Sequence, residues 1–586
     1  MKSVLLFNVK RAMAGPSNDC SDYMGAFYLA AVLEERGYDP WVFHGYAHEV
    51  PEILAREVSY RNIAVIGFAC DFENRSVVEE LSLFVKEKYR IPVVVGGPQA
   101  MDLKEDFFRK SRCDYVVRGE GEHTLPQLIG FIVKHEGSRE DIKGITWLDD
   151  SAGIVSNADN EPVSDLDTLP LPAYHRSLHT GRTYGRSIFT GRGCPFSCAF
   201  CYESNHKKRV RLRSMDKVME EIKHNLDTYP ELNYIIVSDD TFTLSTERVQ
   251  AFCKGIKILR SGRDFVWYCE GHVHLLAKWP GMMRLMAESG LARLQIGVET
   301  GCQNVLDLYR KQVTLDEIEF VIEEAVKVGV PQIATNLIIG GPAECEKTIG
   351  ETEAFAERLL RKAPGVIDIL TGFLRPYPGT AIAENPEAFK LAISDPQGAK
   401  SFDDYPLIEA NGMTLEDILK YRVRISRHIF RVMNEITDKG LVPYKTILSQ
   451  YKSAMKYGIT SMWYTEIFKK NHFLDEYFRM IAKGAAVRFE DVPQDELMRW
   501  RPQRTVEIRR AVNFEQGFPK IGGYVLSPLE FELLLRCSAK LRFEEVLEDM
   551  YSTFGERYEG MEAFKGSVIE TFRKFDKMYW LVFCKV

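Results

Sequence analysis

Residues 187–204 read SIFTGRGCPFSCAFCYES, and the spacing of their three cysteines governs the reading of the whole chain. Cys194, Cys198 and Cys201 sit in the loop after a short apolar strand, Ser187–Thr190. Three thiolates at C-x-x-x-C-x-x-C spacing can hold three irons of a cubane cluster and leave the fourth iron open to an outside ligand, which a four-cysteine electron carrier cannot do. Structural zinc competes with this reading. It needs a fourth ligand and could borrow His206, but no second Cys/His pair stands at zinc-finger spacing. The other nine cysteines (Cys20, Cys70, Cys113, Cys253, Cys269, Cys302, Cys345, Cys537 and Cys584) are scattered and read as small buried hydrophobes.

Downstream, strand-like runs recur at Tyr234–Val237, Phe265–Tyr268, Leu294–Gly297, Ile333–Ile339 and Ile367–Phe373. Amphipathic stretches separate them, at Asp216–Leu226, Glu247–Leu259, Met282–Glu288, Leu315–Val328 and Thr348–Leu360. Six β/α units predict a partial (β/α)6 TIM-type barrel, with chemistry at the carboxyl ends of its strands. Polar residues gather at those ends: Asp239, Asp240, Glu270, Glu299, Asn336 and Arg375. The basic run Lys207, Lys208, Arg209, Arg211, Arg213 reads by default as a solvated face, with balance of an anionic ligand as the alternative.

Upstream, Met1 to about Gly137 alternates apolar runs (Val4–Asn8, Trp41–His44, Ile63–Phe68, Val93–Val95, Tyr115–Val117) with helical segments such as Tyr23–Arg36, Val77–Lys88 and Thr124–Val133. That alternation predicts a Rossmann-like doubly wound sheet, which binds ligands beyond the carboxyl ends of its strands. Those ends carry Asn8, Pro16, Ser17, Cys70, Asp71, Gly96, Gly97, Gly119 and Glu120. No G-x-G-x-x-G follows the first strand, which argues against a dinucleotide.

Two resemblances follow. VLLFNVKRAMAGPS, VIGFACDFEN, PVVVGGPQA and DYVVRGEGEHTLPQLI resemble the cobalamin-binding domain found ahead of radical SAM domains. The cysteine triad with Phe200 before its last member, followed by SDDTF, IGVETG, LIIGGPAE and RPYPGT, resembles the radical SAM superfamily. The resemblance covers roughly residues 1–395. It implies a [4Fe-4S] cluster on Cys194, Cys198 and Cys201, and S-adenosyl-L-methionine (SAM) at the open iron. Tyr202 would contact the adenine through its backbone; Asp239, Asp240, Glu299 and Asn336 would line the SAM pocket, and Arg375 would face the SAM carboxylate. Cobalamin (as methylcobalamin) would rest on the Asn8, Pro16, Ser17, Cys70, Asp71, Gly96, Gly97, Gly119 and Glu120 loops. The D-x-H-x-x-G segment whose His coordinates cobalt in some cobalamin proteins is absent, so no imidazole from that motif is expected below cobalt; His44 and His48 read as surface residues. Glu270 would be catalytic, near the open iron or the substrate.

Beyond about Pro396 helical periodicity dominates, with Leu415–Glu435, Tyr444–Tyr457 and Trp463–Lys483 rich in aromatics that read as core. The last eighty or so residues run strand–helix–helix–helix–strand and resemble the winged-helix leader-peptide recognition modules of peptide-modifying enzymes, with a plain helical cap as the alternative. The expected divisions are 1–137, a turn-rich linker 138–181, 182–395, a helical substrate or lid region 396–505, and 506–586.

The whole implies an α/β enzyme: a cobalamin-dependent radical SAM methyltransferase acting on an unactivated carbon of a natural-product or ribosomal-peptide substrate, with an external flavodoxin- or ferredoxin-type reductant. A cobalamin-dependent rearrangement or cyclisation without methyl transfer, and a non-catalytic cobalamin or redox sensor, are the alternatives. Composition agrees: 586 residues, 45% hydrophobic and 27% charged, suit several packed domains. A net charge of −7 disfavours a nucleic-acid partner, and no apolar run approaches the ~18 residues of a membrane span. The expected compartment is the cytoplasm.

Overall fold

The computed structural model describes residues 2–10, 24–151, 153–178, 185–203, 209–394, 405–468, 472–508, 512–515, 518–521 and 523–585. They form two compact units, Met1–Val432 and Met433–Val586. The first unit holds two sheets. In one, strands β1 (Ser3–Lys10), β2 (Asp39–Tyr46), β3 (Ile63–Ala69), β4 (Val93–Gly96) and β5 (Tyr115–Val117) lie parallel in the order β2-β1-β3-β4-β5. Side chains alternate strictly across it. Leu5, Phe7, Ile66, Phe68, Val93 and Val95 pack with Val50, Val78 and Phe107 on one face. Val4, Leu6, Val65 and Val94 meet Phe27, Leu125 and Ile129 on the other, as a sheet covered by helices on both sides requires.

Part of the expected linker is instead sheet. Strands β6 (Ile145–Asp149) and β7 (Gly153–Ser156) join β5 as an antiparallel extension. The turn formers that suggested a linker serve a hairpin, where Gly153 adopts φ +71°. Ile145 and Trp147 are buried in the core, worth about 2–3 kcal/mol each.

The second sheet has six parallel strands, β8 (Gly185–Ile188), β11 (Tyr234–Val237), β12 (Val266–Gly271), β13 (Leu291–Glu299), β14 (Gln332–Ile339) and β15 (Ile367–Phe373). They are ordered β15-β14-β13-β12-β11-β8, so the six expected units form one open barrel sheet. Ile235, Leu294, Ile333 and Ile369 point outward into the helical layer and are buried. The alternating inward positions carry Tyr268, Glu270, Gln295, Asn336 and Leu370. A two-residue antiparallel ladder, β9 (Gly191–Arg192) with β10 (Arg211–Leu212), brackets the cysteine loop.

Ion pairs join the two sheets' loops. Arg211 forks onto Glu120 (Nη2–Oε1 2.6 Å, Nη1–Oε2 2.9 Å) and donates to the Val163 carbonyl. Arg192 reaches Glu120 at 3.3 Å and Glu122 at 2.7 Å. Arg213 pairs with Glu221, which also accepts from Tyr28. The basic run divides: Arg209 is exposed, whereas Arg211 and Arg213 are buried because acidic partners from elsewhere in the fold meet them. Lys207 and Lys208 lie outside the described residues.

In the second unit, Tyr451, Trp463, Tyr477 and Phe478 are buried, and rings such as Tyr451–Phe468 and Phe468–Phe478 pack at 5.2 and 5.5 Å. The aromatic stripe is core, as its spacing suggested. The span expected as one helix from Trp463 holds two, Met462–Phe468 and His472–Ala482. Helices Pro528–Arg536, Phe543–Phe554 and Met561–Lys577 share a core with Phe583 that reaches back to Phe489 and Trp500, ahead of the division expected at 506. Among the described residues no helix is long and apolar enough to cross a membrane.

Burial pushes the Glu120 carboxyl up, but Arg211 and Arg192 outweigh it and bring it down to about 2. Its stabilising contribution is complete above the unfolded carboxyl value near 4.5 and is lost as pH falls toward 2. Glu120→Gln should lower the melting midpoint at pH 7, and its midpoint should fall less than the wild type's between pH 5 and pH 3. Differential scanning calorimetry checks this; parallel curves would contradict it.

Candidate functional site

A cavity of about 850 Å3 opens where the carboxyl ends of the first sheet face the cysteine loop. This is at the upper end of small-molecule pockets. Gly96, Gly97, Gly119 and Gly121 contribute to it from the first sheet; Phe189, Arg192, Tyr202 and Asp240 contribute from the barrel side. Gly97 has φ +103°, and a Cβ there would stand 2.7 Å from the Cys70 carbonyl oxygen and 2.9 Å from its nitrogen. Only glycine fits, and the result is a wall of bare backbone that a large flat ligand can approach closely.

The residues expected around cobalamin divide. Gly96, Gly97, Gly119 and Glu120 line the cavity. Asn8 is buried with its amide at 3.1 Å from the His44 ring, and Cys70 lies beneath Gly97 with its thiol pushed well up by burial. Asp71 caps a turn, accepting from Glu73 and Asn74 N–H groups at 2.9 Å. These three support the wall from behind. Pro16 and Ser17 lie outside the described residues. Among the described residues no histidine lines the cavity.

The cysteine loop is fixed by hydrogen bonds. Asp239 is buried, and its carboxylate accepts from the Thr190 hydroxyl, from the Thr190 N–H at 2.5 Å and from the Gly191 N–H at 3.2 Å. Burial raises it to about 6 against those bonds. Asp239 thus holds the strand end under the loop, while its neighbour Asp240 accepts from Gly193 N–H at 2.9 Å and lines the cavity. Cys194 contacts the Thr241 hydroxyl at 3.5 Å. Tyr202 donates its hydroxyl to the Pro98 carbonyl, so the residue after the triad also touches the first sheet's loops.

Two residues near the triad escaped sequence reasoning. Lys311 is largely buried and pairs with Glu299 at 2.6 Å. Desolvation pulls its pKa down, but Glu299, then the thiols of Cys198 and Cys201, outweigh this and raise it. A permanent cation thus stands beside two of the three cysteines, where three thiolates and an anionic cluster need one. Burial pushes the Cys198 thiol up to about 11; coordination to iron removes that proton. His272 stacks on Phe196 at 3.6 Å and is held neutral by burial, its pKa down to about 3. Nothing in local spacing marks either residue, because both arrive from other barrel loops. Among the described residues, no three Cys, His, Asp or Glu side chains converge on one ion-sized centre. His206, the fourth ligand that a zinc reading would borrow, lies outside the described residues.

The remaining expected residues lie on or near the barrel's inner wall. Glu299 has φ +63° at a register shift between β13 and β14, which delivers its carboxylate to Lys311. Asn336 is exposed on the inward face of β14. Arg375 is buried and donates to the Tyr405 carbonyl at 2.9 Å. Glu270 accepts from Tyr268 at 3.1 Å and Gln295 at 3.2 Å. Burial lifts it to about 7, with the Tyr268 hydrogen bond and Lys311 opposing and Asp240 and Glu299 reinforcing.

The chain matches the B12 binding domain over residues 11–129 and the Radical SAM superfamily over residues 188–356. An uncharacterized methyltransferase of Pyrococcus horikoshii is 28% identical over 390 residues, 63% of this chain and 80% of that protein. The hopanoid C-3 methylase of Methylococcus capsulatus is 26% identical over 367 residues, 61% of this chain and 67% of that one. The anaerobic magnesium-protoporphyrin IX monomethyl ester cyclase of Rubrivivax gelatinosus is 22% identical over 340 residues, 56% of this chain and 60% of the cyclase. In fold, the chain is similar to the radical SAM methyltransferase TsrM of Kitasatospora setae, solved with cobalamin and a [4Fe-4S] cluster (TM-score 0.59, 15% identity, 83% of this chain and 100% of that one). It is also similar to OxsB, a cobalamin-dependent SAM radical enzyme (TM-score 0.58, 14% identity, 99% and 84%). A B12 binding domain is thus followed by a radical SAM domain in one chain, the domain pair of cobalamin-dependent radical SAM enzymes, and methyltransferases and cyclases both stand among its relatives.

Proposed function

We propose that this methyltransferase delivers a methyl group to an unactivated carbon of a natural-product substrate, with the cavity between its two sheets as the meeting place. The observation that carries the reading is that one cavity takes its walls from the Gly96, Gly97 and Gly119 loops and from Tyr202 and Asp240 beside the cysteine triad. A ligand on the glycine wall and one at the cluster's open iron would then be neighbours, which transfer between them needs.

Cys194, Cys198 and Cys201 would hold the cluster, with Lys311 balancing its charge. Tyr202 and Asp240 would face SAM, and Asp239 would act indirectly by fixing the loop. Gly96, Gly97 and Gly119 would support the corrin. Bound together, these cofactors supply a carbon-centred oxidant, a cobalt-borne methyl group and the SAM that replenishes it; the protein's share is orientation and exclusion of water. An external one-electron donor of flavodoxin or ferredoxin type would supply reducing equivalents. The second unit would choose the substrate. The order of its terminal helices, Pro528–Arg536, Phe543–Phe554 and Met561–Lys577, supports a ribosomal peptide as one substrate class to test. A second reading, ring closure without methyl transfer, is favoured by the similarity to the anaerobic cyclase of Rubrivivax gelatinosus.

With methyl-deuterated SAM, reductant and hydroxocobalamin, the reconstituted protein should accumulate deuterated methylcobalamin, read by mass spectrometry. Substrate turnover with no label in product or cobalamin would favour the cyclase reading. Gly97→Val should abolish stoichiometric cobalamin uptake, measured by absorbance after desalting, while iron content stays at the wild-type level. Undiminished uptake would remove the glycine wall from the cobalamin site.

A further inference from the structure

The barrel's inner wall is unevenly furnished. On β12 and β13, Tyr268, Glu270 and Gln295 form a closed hydrogen-bonded triangle: Tyr268 donates toward Glu270 Oε1 (3.1 Å) and Gln295 Oε1 (3.0 Å), and Gln295 Nε2 donates to Glu270 Oε1 (3.2 Å). All the bonds to Glu270 fall on Oε1, and Oε2 makes none. The triangle fixes the carboxylate's orientation and leaves one oxygen free. Opposite, Asn336 on β14 is paired in register with Leu370 on β15. Leu370 is 47% exposed in mid-strand, and the next inward position, Gly372, has no side chain. Barrel interiors are normally filled by interdigitating side chains, so this half of the wall has room for an apolar body.

The wall's cations are already committed. Arg293 lies 3.5 Å from Gln332 and 3.7 Å from Asp368, and Lys311 is paired with Glu299. Within the barrel, an anionic head group would meet Glu270 and Asp240; the exposed cation among the described residues, Arg209, stands on the cavity shared with the first sheet instead. The exposed Ser238, next after β11, and Asp240 line the cavity shared with the first sheet.

We propose that Glu270 is the substrate anchor: its Oε2 accepts a hydrogen bond from an N–H or O–H group of a neutral or cationic substrate whose apolar body lies against Leu370. This rests on the methyltransferase reading above and names the substrate chemistry of that site. It disfavours substrates that enter the barrel phosphate- or carboxylate-first. Tyr268 and Gln295 are positioning residues that act through Glu270.

The test uses reconstituted full-length protein and four probes sharing one ring: benzylamine, benzyl alcohol, benzoate and phenylphosphonate, titrated by saturation-transfer NMR. Wild type should take up the amine and the alcohol in preference to both anions. Glu270→Gln keeps the shape but offers an amide N–H in place of Oε2, and should weaken both donors about tenfold, the loss of one hydrogen bond to a charged group. Leu370→Ala, a change at an exposed side chain, should reduce saturation of the ring protons for the same two probes. Equal uptake of anions and donors, no uptake of any donor, or donor affinity unchanged in Glu270→Gln would overturn the proposal. So would a Glu270→Gln variant whose only change is in the reduced cluster's EPR spectrum, which would assign Glu270 to the iron. Label transfer from SAM to cobalamin, measured on the same samples without probe, reports separately on the methyltransferase reading.

Discussion

The cavity of the first unit depends on the charged contact between Glu120 and Glu122, just beyond β5 of the first sheet, and Arg192 and Arg211 on the ladder that brackets the cysteine loop. Alone, a doubly wound sheet and an open six-stranded barrel each offer strand ends to solvent. The ion pairs, shielded by burial and supported by the Val163 carbonyl, turn those ends toward each other and make one cavity of two rims. A buried pair of this kind gains little over an apolar contact, but losing one partner strands a charge and costs about 3–5 kcal/mol. The contact therefore acts as a geometric requirement more than as a source of stability. Arg192 and Arg211 belong to the ladder that brackets the cysteine loop, so the same residues set the loop's shape and its distance from the first sheet.

The cysteine loop shows a similar economy. Asp239 and Asp240 are adjacent, yet one faces the backbone of the preceding strand and the other faces the cavity. The chain bends at Asp240, just beyond the end of β11. Sequence proximity made both look like ligand contacts; only one borders the space where a ligand could sit. Lys311 gives the complementary lesson. A lysine is expensive to bury, and it is buried here because Glu299, in a left-handed backbone conformation, and two cysteine thiols surround it. The local cost is compensated by groups from two separate segments, which no single stretch of sequence displays.

That contrast explains what could be read in advance. The triad, the six barrel strands and the first five strands of the open sheet are periodic or closely spaced, so each announces itself within a dozen residues. The pairing of Arg211 with Glu120, the triangle of Tyr268, Glu270 and Gln295, and the neutral His272 against Phe196 join residues distant along the chain. They depend on register between strands, and register is not written locally. The hairpin at residues 145–156 was misread for a different reason: its glycine and acidic turn are the same residues a linker would use, and only the buried Ile145 and Trp147 tell the two apart.

The central claim is that the cobalt site and the cluster site share one cavity. The direct test is EPR of cob(II)alamin bound to the reconstituted, reduced protein, because a paramagnetic cluster close by speeds the cobalt spin's relaxation. The account predicts enhanced relaxation in the wild type that disappears when Cys194, Cys198 and Cys201 are replaced by alanine. Bound cob(II)alamin whose relaxation is the same with and without a reduced cluster would contradict it.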